Sequence, residues 1–162
     1  MKIIISESQH KRLFEEEQKV LRIPSVKVFD DWNGLQRFLK SKGNPFYSIG
    51  GNLYLQYYVI ESFERLISVG GGLDLRNNDT IKSLGTLTSV GGSLDLLNST
   101  ITSLGNLTSV GGYLDLQNTN IESFENLTSV GGLMDLNNTP ISKKYSEEEI
   151  RQMVNVRGDI YL

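Results

Sequence analysis

The chain has 162 residues, which suits one domain, and its formal net charge is -3. A molecule with that charge has no broad attraction for nucleic acid or for an anionic membrane, so neither is expected as a partner. The sequence contains no cysteine, which excludes a disulfide framework, a thiolate metal site and a cysteine nucleophile. The charge is uneven: residues 1–45 hold nine basic and six acidic residues, whereas residues 46–162 hold seven and thirteen.

The first residues indicate a cytoplasmic chain. The opening run Ile3–Ile5 is too short for a signal peptide, and no run reaches the roughly 18 apolar residues of a membrane helix. Ser8 can cap a helix that continues to Arg22 and ends before Pro24. This helix is the first part of a predicted N-terminal cap that spans residues 1–45.

A second helix is predicted within the same cap. Asp30 or Asp31 can cap its first turn, and Gly43 and Pro45 end it. Its apolar positions are Trp32, Leu35, Phe38 and Leu39. These side chains are expected to cover the open end of the domain that follows.

Residues 46–141 repeat themselves, and this repeat predicts the fold. Copies of the motif Ser-Val-Gly-Gly-x-Leu-Asp-Leu-x-Asn, with Met for the first Leu in the last copy, begin at Ser68, Ser89, Ser109 and Ser129. A weaker copy begins at Ser48, and a partial one spans residues 156–162. Leu-Asp-Leu alternates apolar and polar residues, which predicts one short strand per coil of 20–21 residues. Stacked coils form a parallel β-solenoid with rungs about 4.8 Å apart.

The remaining repeat positions predict turns and a core. The glycine pair before each strand indicates a sharp turn that needs positive φ or a close approach between backbones. An asparagine follows each strand and can satisfy backbone groups at the next bend; these residues are Asn77, Asn98, Asn118 and Asn138. Each coil should bury about six apolar side chains against its neighbours.

The unit Val-Gly-Gly-x-Leu-Asp-Leu-x-Asn-x-x-Ile resembles the coils of leucine-rich repeats, most of all those of receptor L domains. Both share the Leu-x-Leu strand and the asparagine after it, although the asparagine here lies two residues past the second Leu rather than three. The resemblance implies a solenoid with a binding role and no catalytic residues. The N-terminal pattern is also similar to small phage-encoded repeat proteins, which would place the chain in a host cytoplasm or a virion.

Residues 142–162 are predicted to form a C-terminal cap within the same single domain. The segment Ser146–Glu149 is a capping box that begins a short helix ending near Met153. Ile150, Met153 and Val154 are expected to pack beside the last two coils and to leave the Ile160 edge partly free. A free edge permits a weak end-to-end homodimer, and a monomer is the alternative.

The aspartate of each Leu-Asp-Leu strand predicts a charged face. The carboxylates should stack on the outer side of the sheet and point to solvent, in a column of Asp74, Asp95, Asp115 and Asp135, with Tyr54 and Tyr161 as end rungs. We call this column and the residues beside it the acidic face. Two charges about 5 Å apart repel by roughly 0.8 kcal/mol even in water, so stability alone does not favour the column. It predicts a basic protein partner or a divalent cation; alternatively, duplication copied a solubilising residue that blocks aggregation.

The positions beside the column vary from coil to coil. Tyr113, Leu133 and Leu97 form an apolar spot, and Arg76 and Gln117 complete the predicted binding face. Aromatic anchors ringed by polar groups suit a protein interface. Scattered surface hydrophobic residues are the alternative, because they are common on monomeric proteins.

No catalytic residue, cofactor or histidine-based metal site is predicted, and binding of a cation by the aspartate column stays an open alternative. The one histidine, His10, has no cysteine or second histidine to join it in a zinc site or a nucleophile pair. Adjacent carboxylates suit a retaining glycosidase, but identical solvated aspartates do not separate into an acid and a base, so this is a distant alternative. The leading prediction is a protein-recognition module, and the second is a structural or virion-associated building block that assembles through its ends.

Overall fold

The computed structural model describes residues 20–162. The chain forms a β-solenoid of stacked parallel coils, about 20 residues per coil, as the repeat predicts. Its strands are β1 (Leu21–Ile23), β2 (Tyr47–Ile49), β3 (Leu53–Tyr54), β4 (Leu66–Val69), β5 (Leu73–Asp74), β6 (Ser89–Val90), β7 (Leu94–Asp95), β8 (Ser109–Val110), β9 (Leu114–Asp115), β10 (Ser129–Val130), β11 (Met134–Asp135), β12 (Asn155–Val156) and β13 (Ile160–Tyr161). The helices are a 3₁₀ helix (Val26–Phe29), α1 (Trp32–Ser41), α2 (Pro140–Lys144) and α3 (Glu147–Met153).

Each coil contributes two strands, one more than predicted. The first sheet has the order β1-β2-β4-β6-β8-β10-β12, and the Ser-Val pairs of the four full repeats lie in it. The second sheet has the order β3-β5-β7-β9-β11-β13, and the Leu-Asp or Met-Asp pairs of the same repeats lie in it. All pairs are parallel, and the register of the second sheet places Asp95 opposite both Asp74 and Asp115, and Asp135 opposite Asp115. The aspartates therefore occupy successive rungs, as the repeat predicts.

The core fills the space enclosed by the coils. In one coil the buried side chains, none more than 1% exposed, are Val90, Leu94, Leu96, Ile101, Leu104 and Leu107. The same positions are buried in the next coil, which confirms the prediction of six apolar side chains per coil. Since these side chains contact equivalent residues in the coils above and below, the hydrophobic contribution is shared along the stack.

The glycine pairs lie at the corner between the two sheets. A Cβ atom on Gly111 would overlap the carbonyl oxygen of Gly91, and one on Gly131 would overlap that of Gly111. These glycines do not adopt positive φ. The close approach of successive coils is therefore the reason for glycine at this corner.

Positive φ is found instead at the asparagine corner. Asn77, Asn98, Asn118 and Asn138 have φ between 56° and 58°. Their side chains form an amide ladder in which each Nδ2 donates to the Oδ1 of the previous coil, at 3.1, 2.7 and 2.9 Å. Asparagine tolerates this backbone conformation better than other non-glycine residues, and its amide supplies both a donor and an acceptor. The asparagines therefore lie at the bend as predicted, but their amides bind one another rather than the backbone groups that the prediction named.

The N-terminal cap differs in part from its prediction. Helix α1 begins after Asp31, whose carboxylate accepts a hydrogen bond from the Gly34 N–H at 2.7 Å, as expected for a capping residue. The predicted helix from Ser8 does not extend to Arg22, because Leu21–Ile23 is strand β1, paired in parallel with β2. The residues before Val20, including His10, lie outside the described part of the chain.

The C-terminal cap contains the predicted capping box. The Ser146 hydroxyl accepts from the Glu149 N–H, and the Glu149 carboxylate accepts from the Ser146 N–H at 2.8 Å, which begins helix α3. Ile150 and Val154 are buried, whereas Met153 is 43% exposed and does not join the core. A further helix, α2, precedes α3 and was not predicted. No helix within residues 20–162 is long and apolar enough to cross a membrane.

Candidate recognition face

The acidic face is the outer surface of the second sheet. Side chains alternate between the two sides of a strand, so burial of Leu114 and Leu116 turns Asp115 outward, and the same holds in each coil. The residues two positions away, such as Tyr113 and Gln117, share the outward side. The structure thus brings the predicted site residues together on one surface: Tyr54, Asp74, Arg76, Asp95, Tyr113, Asp115, Gln117, Leu133, Asp135 and Tyr161.

Each aspartate of the column has a local structural role that the sequence analysis did not predict. One carboxylate oxygen accepts the backbone N–H two residues later, from Arg76, Leu97, Gln117 and Asn137, at 2.9–3.2 Å. This contact is typical of aspartate at a turn and holds the chain as it leaves the strand. The pattern of an aspartate before a bend was a usable signal, because Asn and Asp commonly close such turns.

The column is less solvated than predicted. Asp95 is only 9% exposed, and the other three carboxylates are half-buried. The covering groups come from neighbouring coils: the Tyr113 hydroxyl donates to Asp95 Oδ2 at 3.3 Å, and the Arg76 side chain lies over Asp74 and Asp95. The sequence analysis considered repulsion within the column but missed these contacts of Tyr113 and Arg76 with the aspartates.

Arg76 offsets part of the negative charge in the first half of the column. Its guanidinium contacts Asp74 Oδ2 at 2.7 Å and, through Nε, Asp95 Oδ2 at 3.4 Å. Gln56 also donates to Asp74 Oδ2, so both oxygens of Asp74 have donors. A single arginine therefore spans two adjacent rungs.

The second half of the column has no such counter-ion. Within residues 20–162, no side chain donates to Oδ2 of Asp115 or of Asp135, and neither residue forms an ion pair. Burial raises the pKa of the Asp115 carboxyl, and the charges of Asp95 and Asp135 raise it further. Burial also raises the pKa of Asp95, although the Leu97 N–H and Arg76 oppose the shift.

The direction of these two pKa shifts determines how the free energy of unfolding depends on pH. Because both folded-state pKa values lie above the ordinary value of 3.8, the folded chain binds protons more tightly than the unfolded chain. The contribution of these two groups to the free energy of unfolding therefore increases as the pH falls from neutral through the folded-state values. At neutral pH the two ionised groups therefore contribute less to the free energy of unfolding than their protonated forms would.

Exposed apolar side chains border the unpaired carboxylates. Tyr113 and Leu133, on successive coils, are 39% and 38% exposed, and Tyr161 beyond them is 46% exposed. Gln117 and Asn137 lie on the other side of the carboxylates and are half-buried. Leu97, which was predicted to join the apolar spot, is half-buried as well. The surface thus combines charge, aromatic area and amide groups within two coils.

Two features near the face were missed by the sequence analysis. Tyr57 and Val59, at the corner that follows β3, are 94% and 84% exposed. In addition, Gly72 leaves a depression of about 460 Å³ between Tyr54 and Tyr113. Within the described part of the chain, no group of three or more histidine, cysteine, aspartate or glutamate side chains is arranged to hold a metal ion.

Comparison with known proteins gave no relative. No family model matches the chain, and neither a curated protein nor a solved structure matches it.

Proposed function

We propose that this protein is a recognition module that binds a basic protein surface through the acidic face. The observation that carries the proposal is the pair Asp115 and Asp135, which has no counter-ion among the described residues and adjoins exposed Tyr113 and Leu133. Complementary charge steers association and fixes the register of a complex, and aromatic side chains supply contact area.

The structural role of the aspartates does not account for their charge. Asparagine has a side-chain oxygen in the same place and would accept the same backbone N–H without repelling its neighbours. With rungs about 5 Å apart, each ionised pair costs roughly 0.8 kcal/mol in water, and partial burial increases this repulsion. A partner that supplies positive charge would relieve it, which is the physical reason to favour recognition over solubility alone.

The resemblance to leucine-rich repeats agrees with this proposal, since it implies a solenoid used for binding. We place the protein in the cytoplasm, where a chain without cysteine loses no stabilising disulfide. A phage origin, with a role in the host cytoplasm or in a virion, belongs to the same proposal.

Assembly through the ends is the second candidate, and one observation opposes it at the first sheet. In each coil the carbonyls of the Val and of the second Gly accept N–H groups of the next coil, as Val130 and Gly132 do. In the last coil the Arg151 guanidinium donates to the equivalent carbonyls, those of Val156 and Gly158, at 2.8 and 2.9 Å. Arg151 thus occupies the donor positions of a further coil, and at the C-terminal end of the stack strand β13 of the second sheet is the edge left for a second copy.

An affinity-capture comparison tests the proposed function. The variant Asp115→Asn with Asp135→Asn removes the charge but keeps the turn hydrogen bonds, so it should fold normally. The matched control is Glu61→Gln with Glu122→Gln, two exposed acids outside the second sheet. We expect a basic protein, identified by mass spectrometry and purified, to bind the wild type and the control equally and the double asparagine variant about tenfold more weakly. Equal binding to all three proteins would contradict the proposal.

A further inference from the structure

We infer that Asp115 and Asp135 form a subsite for one arginine side chain of the partner, whose guanidinium bridges the two rungs. The inference rests on the proposed function and names the chemical group that the acidic face receives. Elsewhere on this face, an arginine of the chain itself already contacts two aspartates on adjacent rungs.

Arg76 provides the internal example. It lies two residues after Asp74, and its guanidinium contacts the carboxylate of its own coil at 2.7 Å and that of the next coil at 3.4 Å. The backbone register of β5 and β7 is the same as that of β9 and β11. The backbone arrangement that carries Asp74 and Asp95 is therefore repeated for Asp115 and Asp135.

The equivalent position in the later coil carries no cation. Gln117 stands two residues after Asp115, where Arg76 stands after Asp74. The Gln117 N–H binds Asp115 Oδ1 at 2.9 Å, which leaves Oδ2 for a ligand. Asp135 likewise uses Oδ1 for Asn137 and leaves its Oδ2 without a donor from residues 20–162. Two carboxylate oxygens on adjacent rungs thus lack, among the described residues, a guanidinium donor such as Arg76 provides two coils earlier.

The surroundings favour arginine over lysine and over a small cation. Rungs are about 4.8 Å apart, a spacing that a planar guanidinium can span with separate N–H groups, whereas an ammonium is a point charge. Exposed Tyr113 and Leu133 offer apolar area to the methylene groups of an arginine, and an aromatic ring also attracts its cation. A bare metal ion would gain nothing from these two side chains.

The test supplies the guanidinium from the protein itself. In Gln117→Arg the new side chain should bridge Asp115 and Asp135 as Arg76 bridges Asp74 and Asp95, and so occupy the subsite. Gln56→Arg is the matched control, because it adds the same charge in the same column three coils away. Gln117→Lys adds a positive charge at the position of Gln117→Arg but lacks the planar guanidinium group.

The probe is the peptide acetyl-tetra-arginine amide. Its binding is monitored by NMR through the carboxyl ¹³C signals of Asp115 and Asp135. We expect the wild type and Gln56→Arg to bind with dissociation constants within twofold of each other, and Gln117→Arg to bind about tenfold more weakly. Gln117→Lys should weaken binding less than Gln117→Arg, and acetyl-tetra-lysine amide should bind the wild type about fivefold more weakly than the arginine peptide.

Two results would overturn the inference. One is equal binding of the arginine peptide to Gln117→Arg and Gln56→Arg. The other is a shift of the Asp115 and Asp135 signals by calcium chloride but not by the peptide, which would indicate a cation site. The proposed function would survive either result if the captured partner still required Asp115 and Asp135, so the two failures can be distinguished.

Discussion

Replacement of Leu114 with alanine is expected to lower the free energy of unfolding by about 2 to 5 kcal/mol. Leu114 lies in β9, is 0% exposed, and pairs with Leu94 in β7 on one side and Met134 in β11 on the other. Removing its branched end deletes contacts to both neighbouring coils and leaves a cavity between them. The stack cannot collapse to fill that space without breaking the register of the second sheet.

Chemical denaturation of Leu114→Ala and of a control, Leu133→Ala, measures this effect. Leu133 lies in the same repeat region but is 38% exposed, so its truncation should change stability by less than about 1 kcal/mol. Hydrogen exchange should show faster exchange in β7 and β11 as well as in β9, because the coils share their interfaces. Equal midpoints for Leu114→Ala and the wild type would show that Leu114 is not in the core.

Gly111→Ala is expected to destabilise the protein by about 3 kcal/mol, the upper end of the usual cost of overpacking. Gly111 has a negative φ that alanine also adopts, so backbone strain does not explain the effect. The added methyl would instead overlap the carbonyl oxygen of Gly91, which is part of the neighbouring backbone and cannot rotate away. Relief of the overlap requires the two coils to separate, which breaks hydrogen bonds such as that from the Gly111 N–H to Val90.

The control for this substitution is Gly50→Ala, at the same repeat position in the first coil. A Cβ there would lie 3.2 Å from the Pro24 carbonyl oxygen, which is a tight contact without overlap. Its effect should be about 1 kcal/mol or less. Thermal melts of both variants decide the matter: similar losses for Gly50→Ala and Gly111→Ala would mean that close packing of the coils is not the reason for glycine.

The sequence alone predicted the features that depend on local residue patterns. The period of 20–21 residues, the buried position of Leu114, the bend at Asn118 and the capping box at Ser146 all depend on local patterns, and the structure contains each of them. The Ser-Val strand was missed because a two-residue strand such as Ser109–Val110 has too few positions to show alternation. Strand β1 was missed because its pairing with β2, over 20 residues away, outweighs the helical pattern before it.

At the candidate site, the repeat pattern predicted the positions of the residues but not their side-chain contacts. The position of Asp95 in the column followed from the repeat, but its burial did not. That burial depends on Tyr113 extending back to the preceding coil and on Arg76 extending forward to the next one. Side-chain contacts of this kind break the symmetry of the repeat, and the difference between the two halves of the face arises from one arginine.

Crowding of carboxylates on adjacent rungs is the physical basis of the proposed recognition face, and a pH titration of the aspartate ¹³C carboxyl signals tests it most directly. We predict that Asp95 and Asp115 titrate above the ordinary pKa of 3.8, because burial raises both pKa values and the neighbouring carboxylates raise them further. Asp135→Asn should lower the pKa of Asp115 toward that value, because it removes one of the neighbouring charges. Titration of Asp95 and Asp115 at or below 3.8, with Asp115 unaffected by the loss of Asp135, would contradict a stacked carboxylate column without a counter-ion at Asp115 and Asp135.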